Sequence, residues 1–282
     1  MHTPSSLRAT SRAALQAFAG SSSSLRIVRT IPEPVHKPAT PLEQLFVLDS
    51  SFNPPTLAHL HIATSALASA GNSAPVRLLL LLATQNADKA PKPAAFEDRL
   101  VMMHMMAENV LQSVSKDADI TIDIALTKHP YFLHKSAAIT ADPLYSSISS
   151  SPLEQNHIVG FDTLTRILDT KYYPPEHTLS SVRPLFSQHR LRVTYRADDA
   201  WGAKAEQDDY LQQLKNGDGK SVGKGWDRGW ADRIELVEGL GGGVSSTKAR
   251  EAAMKKDKEE LGRLCSGNIG EYVLSERLYD EA

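Results

Sequence analysis

The sequence predicts an α/β protein built on a doubly wound parallel sheet. Strand and helix signals alternate from residue 44 onward, as they do in chains of βα units. The run "VRLLLLLAT", Val76–Thr84, is continuously apolar, which suits a central parallel strand covered on both faces. The strand before it, Leu45–Leu48, passes through a polar, proline-rich turn into a helix in which Leu57, Leu60, Ala63 and Leu67 recur at helical spacing.

Taken in order, residues 1–44 read as an extension. They hold Arg8, Arg12, Arg26 and Arg29, many serines and no acid before Glu33. Two readings are open: a mitochondrial transit peptide, or a partly ordered tail with a short helix near Ser11–Phe18. The prolines at 32, 34, 38 and 41 then form an extended connector. Residues 45–282 read as one domain. Leu45–Leu48 is its first strand, Leu57–Ser69 a helix and Val76–Thr84 the next strand. Ala94–Gln112 is a helix whose methionines serve as core filler. "DITIDIAL" alternates as a strand, and a helix follows around Lys135–Ser147. His157–Asp162 is a short strand ending in a turn, followed by a helix. "HRLRVTYRADD" and Arg233–Val237 supply the remaining strands. "SSTKAREAAMKK" is a capped helix, and another closes the chain around Asn268–Leu278. Pro143–Pro152 and Lys215–Trp230 read as loops, the second as a mobile one around 215–230. Trp201, Trp226 and Trp230 fall in polar loops, where one of them could stack on a flat ligand ring.

Composition excludes several classes. The 282 residues carry a formal net charge of -2, so no global positive field points to nucleic acid. No apolar run approaches the ~20 residues needed to cross a bilayer. The single cysteine, Cys265, permits no intrachain disulfide and no thiolate metal site. The histidines show no zinc spacing, and no Gly-x-Ser-x-Gly is present. "GDGKS" at 217–221 resembles the end of a P-loop. The glycine that motif requires is Leu214, and no strand leads into it.

The turn "SSFNPPTLAHL", Ser50–Leu60, carries the most chemistry. It lies at the carboxyl end of a strand and opens a helix, so backbone N–H groups and the helix N-terminus there attract phosphate. Thr56 is placed to cap the helix, and His59 sits one turn along on the same face. A second such end follows "GLGGG", where Ser246 and Thr247 open a helix and Arg250 lies one turn on. The plainer alternative for that stretch is a helix cap with a solvated Lys-Arg pair.

"SSFNPPTLAHL" resembles the signature of the HIGH-motif nucleotidyltransferases, specifically the nicotinamide mononucleotide adenylyltransferases, in a divergent fungal-type branch. Thr56 and His59 match the two polar positions, while Ala58 and Ser50 replace glycines. Serine at 50 would be strained if the backbone there needs a positive φ. Three further blocks follow in the family's order. "NADKAPKPAAFEDRLVMM" matches through Lys89 and Arg99. "HIVGFDTLTRIL" matches through Gly160 and Asp162. "VSSTKAREAAMKK" with the terminal helix matches through Ser246, Thr247 and Arg250.

The resemblance implies a Rossmann-like nucleotidyltransferase fold and a reaction joining ATP and nicotinamide mononucleotide (NMN) into NAD and pyrophosphate. Nicotinic acid mononucleotide is left open as a second acceptor. His59, Arg250 and Thr56 would be catalytic. Ser51, Phe52, His59, Gly160, Asp162, Ser246, Thr247 and Arg250 would hold ATP. Lys89, Asn53 and Thr127 would hold NMN, and Arg196, which also follows a strand, is a further candidate for the lining. Mg²⁺ would come with ATP, Asp162 meeting it or the adenosine ribose, with no resident metal site. Nucleic acid and membrane are not expected as partners, and the oligomeric state is left open. The compartment would be cytoplasmic or nuclear, or mitochondrial if the N-terminal segment is a targeting signal. The alternatives are an ATP hydrolase, a transferase to another phosphorylated acceptor, or a non-catalytic nucleotide-binding protein.

Overall fold

In the computed structural model seven strands form one sheet in the order β1-β4-β3-β2-β5-β6-β7. They are β1 (Leu25–Ile31), β2 (Leu42–Asp49), β3 (Val76–Ala83), β4 (Ile120–Thr127), β5 (Ser149–Gly160), β6 (Arg190–Thr194) and β7 (Ile234–Val237). The structure describes residues 3–33, 38, 40–71, 75–85, 94–114, 119–196, 201–217 and 223–280. All neighbouring strands run parallel except β1, which pairs antiparallel with β4 at one edge. This is the doubly wound sheet that the apolar runs predict. The chain winds outward from β2 to β3 and β4, then returns to β5 beside β2 and winds the other way. The turning point therefore lies between β2 and β5, where Leu48 pairs with Ile158. A ligand crevice in such a sheet opens at the carboxyl ends of those two strands.

Eleven α-helices of the described residues cover the sheet. On one face α2 (Leu57–Ser69), α3 (Phe96–Ser113), α9 (Ser246–Met254), α10 (Lys258–Leu264) and α11 (Gly267–Ser275) share the main apolar cluster. The methionines of α3 are buried there, as core filler should be. On the other face α4 (Phe132–Thr140) and α5 (Pro143–Ile148) cover Leu45, Val47, Leu79 and Leu81. A third cluster, around α6 (Phe161–Ile167), α7 (Arg183–Gln188) and α8 (Lys204–Asn216), backs β6 and β7.

Several expectations change. The first 44 residues contribute α1 (Pro4–Ala19), which contains and extends the short helix expected, and β1, the edge of the same sheet, rather than a tail. The proline connector falls between β1 and β2, with residues 34–37 and 39 outside the described set. Phe18 and Leu7 of α1 are buried in the main cluster, and Arg8 and Arg12 pair with Asp98 and Glu97 of α3. Pro143–Pro152 is not a loop. Asp142 caps α5 at Pro143, and β5 starts at Ser149. The helix expected over Lys135–Ser147 is two helices, because Pro143 has no N–H to continue α4. Of the segment 215–230, residues 218–222 lie outside the described set. Of the rest, the two tryptophans are packed while most other residues are exposed: Trp230 stacks on Phe186 at 5.5 Å, and Trp226 meets Trp230 edge-on at 5.3 Å. Trp201 packs against the same cluster, and none of the three tryptophans is in the described lining of the crevice at the carboxyl ends of the strands.

Candidate active site

A cavity of about 1170 Å³ opens at the carboxyl ends of β2, β3, β5 and β6. It exceeds the ~300–1,000 Å³ of a pocket for one small molecule, which suits two nucleotides side by side. Its described lining carries six Lys or Arg side chains (Arg99, Lys135, Arg166, Arg196, Lys248 and Arg250) against two carboxylates, Asp49 and Asp162. A chain of net charge -2 thus concentrates positive charge in one crevice, as a polyanion site requires.

The turn after β2 is built around a residue in the left-handed region, and that residue is Phe52, with φ 44°. Ser50 has no positive φ, so the strain expected at this substituted glycine does not arise. The Phe52 ring is fully buried, and its centroid lies 5.7 Å from that of His59. Its side chain belongs to the core rather than to the ATP site expected of it, since only the neighbours Ser51 and Asn53 reach the cavity.

Thr56 caps α2, and His59 reaches back from the third helical position. The Thr56 N–H donates to His59 Nδ1 at 3.1 Å, and Thr56 Oγ1 lies 2.9 Å from the same nitrogen. A backbone N–H can only donate, so Nδ1 carries the lone pair and the ring proton sits on Nε2. Nε2 points at Ser50 Oγ, 3.0 Å away. Burial, and then the positive charge of Arg196, lower the imidazole pKa to about 4. His59 is therefore a neutral ring with a fixed N–H donor facing the cavity.

A second helix end is fastened to this turn. Gly241, Gly242 and Gly243 are all left-handed, with φ 72°, 68° and 64°, so the approach to α9 admits no ordinary side chain without strain. Ser245 caps α9 by accepting the Lys248 N–H. Ser246 Oγ donates to the Pro54 carbonyl at 2.8 Å, and Arg250 Nη1 to the Asn53 carbonyl at 2.7 Å. Arg250 Nη2 also donates to Thr247 Oγ1 at 3.1 Å. Two helix N-termini, those of α2 and α9, thus meet at one edge of the cavity with Lys248 and Arg250 beside them.

Of the residues singled out from sequence, Ser51, Asn53, Thr56, His59, Gly160, Asp162, Ser246, Thr247 and Arg250 come together on the cavity wall, as do Arg99 and Arg196. A Cβ at Gly160 would stand 2.5 Å from Asp162 Oδ1, so a side chain there would push that carboxylate aside. Asp162 pairs with Arg196 at 3.0 Å. Asn53 is buried, its Oδ1 accepting from the Ala94 N–H and the Tyr279 hydroxyl, so it braces the turn. Thr127 does not line the cavity. It is fully buried at the end of β4, donating to the Ser24 carbonyl and accepting the His129 N–H. The unforeseen edge strand β1 claims it. Lys89 lies outside the described residues.

Sequence reasoning missed the ion pair of Lys135 with Asp49, and the aromatic wall of Tyr131, Phe132, Tyr172 and Tyr173. Asp49, a lone charge closing an apolar strand, was the signal available. Among the described residues no group of three or more His, Cys, Asp or Glu side chains could hold a metal ion.

Residues 47–184 match a family model described as cytidylyltransferase-like. A protein of Schizosaccharomyces pombe (strain 972 / ATCC 24843), provisionally named a nicotinamide mononucleotide adenylyltransferase, is 35% identical over 228 residues, covering 80% of this chain and 82% of that protein. Among solved structures, a Plasmodium falciparum nicotinic acid mononucleotide adenylyltransferase complexed with NaAD matches with a TM-score of 0.50 at 15% identity, over 84% of this chain and 98% of that one. The last likeness shows the shared fold.

Proposed function

The chain belongs to the nicotinamide mononucleotide adenylyltransferase family, a family of nucleotidyltransferases of NAD synthesis, and from that premise we propose that it joins ATP and NMN into NAD and pyrophosphate. An NMN phosphate oxygen attacks the α-phosphorus of ATP. The bond from that phosphorus to the β-bridging oxygen breaks, and pyrophosphate leaves. The nucleophile is already ionised, so the site needs positioning and charge rather than a base.

One observation carries the reading. The fixed N–H of His59, the N-termini of α2 and α9, and Arg250 converge on one edge of a cavity large enough for two nucleotides. His59 donates to a phosphate oxygen next to the reacting phosphorus, exchanging Ser50 for it. Arg250, Lys248 and the end of α9 take the charge that builds on pyrophosphate. Lys89 is the proposed partner of the NMN phosphate. Asp162 and Arg196 stand on the ATP side.

Mg²⁺ fits this lining as a companion of the triphosphate. Both cavity carboxylates are already paired with cations, and Mg²⁺ is commonly held by substrate phosphates, water and one or two carboxylates. Asp162 is the carboxylate proposed to meet it, and the ion would neutralise phosphate charge.

The test is a product assay with ATP, Mg²⁺ and NMN, and a control without NMN. NAD and pyrophosphate in equal amounts are expected. ADP formed without NMN would replace the reading with an ATP hydrolase. ATP binding with no product would replace it with a nucleotide-binding protein.

A further inference from the structure

The ion pair of Asp49 and Lys135 has no evident structural purpose. Asp49 ends β2, and on the same face Leu45 and Val47 enter an apolar cluster with Leu79, Leu81 and Ile139 of α4. Lys135 sits in the first turn of that helix. The two side chains are 8% and 7% exposed and in contact. A buried ion pair beside an apolar cluster is commonly no more stabilising than packed hydrocarbon, because desolvation offsets the attraction. Both residues nonetheless line the cavity.

Their position within it is informative. Lys248 and Arg250 belong to α9, which packs with α2 and α3 on one face of the sheet and is tied to the turn after β2. Asp49 ends β2 beside Leu81 of β3, Lys135 opens α4 on the opposite face, and Thr84, Gln85 and Pro130 line the same cavity, so the pair lies on the other face from the α9 cations, the face left for the acceptor. The walls there are aromatic. Lys135 Nζ lies 5.2 Å from the Phe132 ring centroid, and the Tyr131 and Tyr172 rings lie 6.3 Å apart. A flat-walled space ending in a buried donor beside a buried acceptor suits a small heteroaromatic ring with a hydrogen-bonding substituent.

We propose that Asp49 and Lys135 are specificity-determining residues that select a pyridine carboxamide over the corresponding carboxylate. The proposal rests on the adenylyl-transfer reading above and names its acceptor more closely. A carboxamide offers N–H to Asp49 and C=O to Lys135, so both partners of the pair are used. A carboxylate offers acceptors only and brings a second negative charge against Asp49, whose charge already occupies Lys135.

The test compares kcat/KM for NMN and nicotinic acid mononucleotide at saturating ATP and Mg²⁺. The unaltered protein is expected to favour NMN at least tenfold. Asp49→Asn frees the Lys135 ammonium and is expected to move that ratio at least tenfold toward the acid, with KM for ATP unchanged. A merely structural role would lower both rates together and leave the ratio in place. Should the single variant not fold, Asp49→Asn with Lys135→Gln removes both charges at once and is expected to abolish the preference. A ratio moved less than twofold in a folded variant would overturn the proposal. If the unaltered protein makes no dinucleotide from either acceptor, it is the transfer reading that falls.

Discussion

Replacing His59 by alanine removes one hydrogen-bond donor from the cavity and little else. The Nδ1 side of the ring accepts the Thr56 N–H, which water in the open cavity can satisfy once the ring is gone. The loss of that half of the helix cap should cost the fold only about 1 kcal/mol. The Nε2–H is different, because it is held in place before substrate arrives and, in the proposed reaction, meets charge that grows in the transition state. Such a donor is worth ~3 kcal/mol, and at about 1.4 kcal/mol per decade this is a loss of at least a hundredfold in turnover. His59→Gln places an amide N–H near the same point and should recover part of the rate. The assay is initial-rate NAD formation, with thermal unfolding followed in parallel. The pH profile is a second readout. Since burial lowers the His59 pKa to about 4, activity should hold as pH falls through 6.5 and decline only near pH 4, where protonating Nδ1 breaks the bond from Thr56. An alanine variant within threefold of the parent rate, with an intact melting curve, would remove His59 from the mechanism.

Three further outcomes are expected. Phe18→Ala should cost ~3–5 kcal/mol, read from urea midpoints, because the ring is buried in the main cluster; a surface helix would show almost no change. Tyr279→Phe removes one of two donors to Asn53 Oδ1 and should lower stability by about 1 kcal/mol, and an unmoved urea midpoint would show that this hydroxyl does not brace the turn. His157 is buried on β5 with its pKa lowered to about 3, chiefly by desolvation, whereas the unfolded chain binds that proton near pH 6.5. Its contribution is complete above pH 6.5 and drains away between 6.5 and 3 at ~1.4 kcal/mol per pH unit, so His157→Asn should flatten the acid side of the stability profile.

The parts of the molecule written in local patterns were legible. β3 announced itself because both faces are buried and every position from Leu78 to Leu82 is apolar. The turn at Ser50–His59 and the end of α9 were legible because caps, prolines and glycines act on their immediate neighbours. β1 was not, since an edge strand with Arg26 and Arg29 shows neither an apolar run nor clean alternation. α1 was legible only in part: the short helix expected near Ser11–Phe18 lies within it, but its two buried residues, Leu7 and Phe18, are too far apart to mark its full length or its docking. Thr127 looked like a site residue because it ends a strand, but β4 is two strands away from the turning point. The Asp49–Lys135 pair joins residues 86 positions apart, a distance across which no local pattern extends.

The turn that holds His59 is finished from the other end of the chain. Arg250 and Ser246 grip the carbonyls of Asn53 and Pro54, and Tyr279 reaches the Asn53 side chain. On the ribosome that turn emerges some two hundred residues before the groups that fasten it. A nascent or prematurely terminated chain can pair β2 with β3 and still lack the second helix end and Arg250. On the proposed reading, the complete phosphate edge therefore exists only after the last stretch of translation, so partial products of synthesis would lack adenylyl transfer.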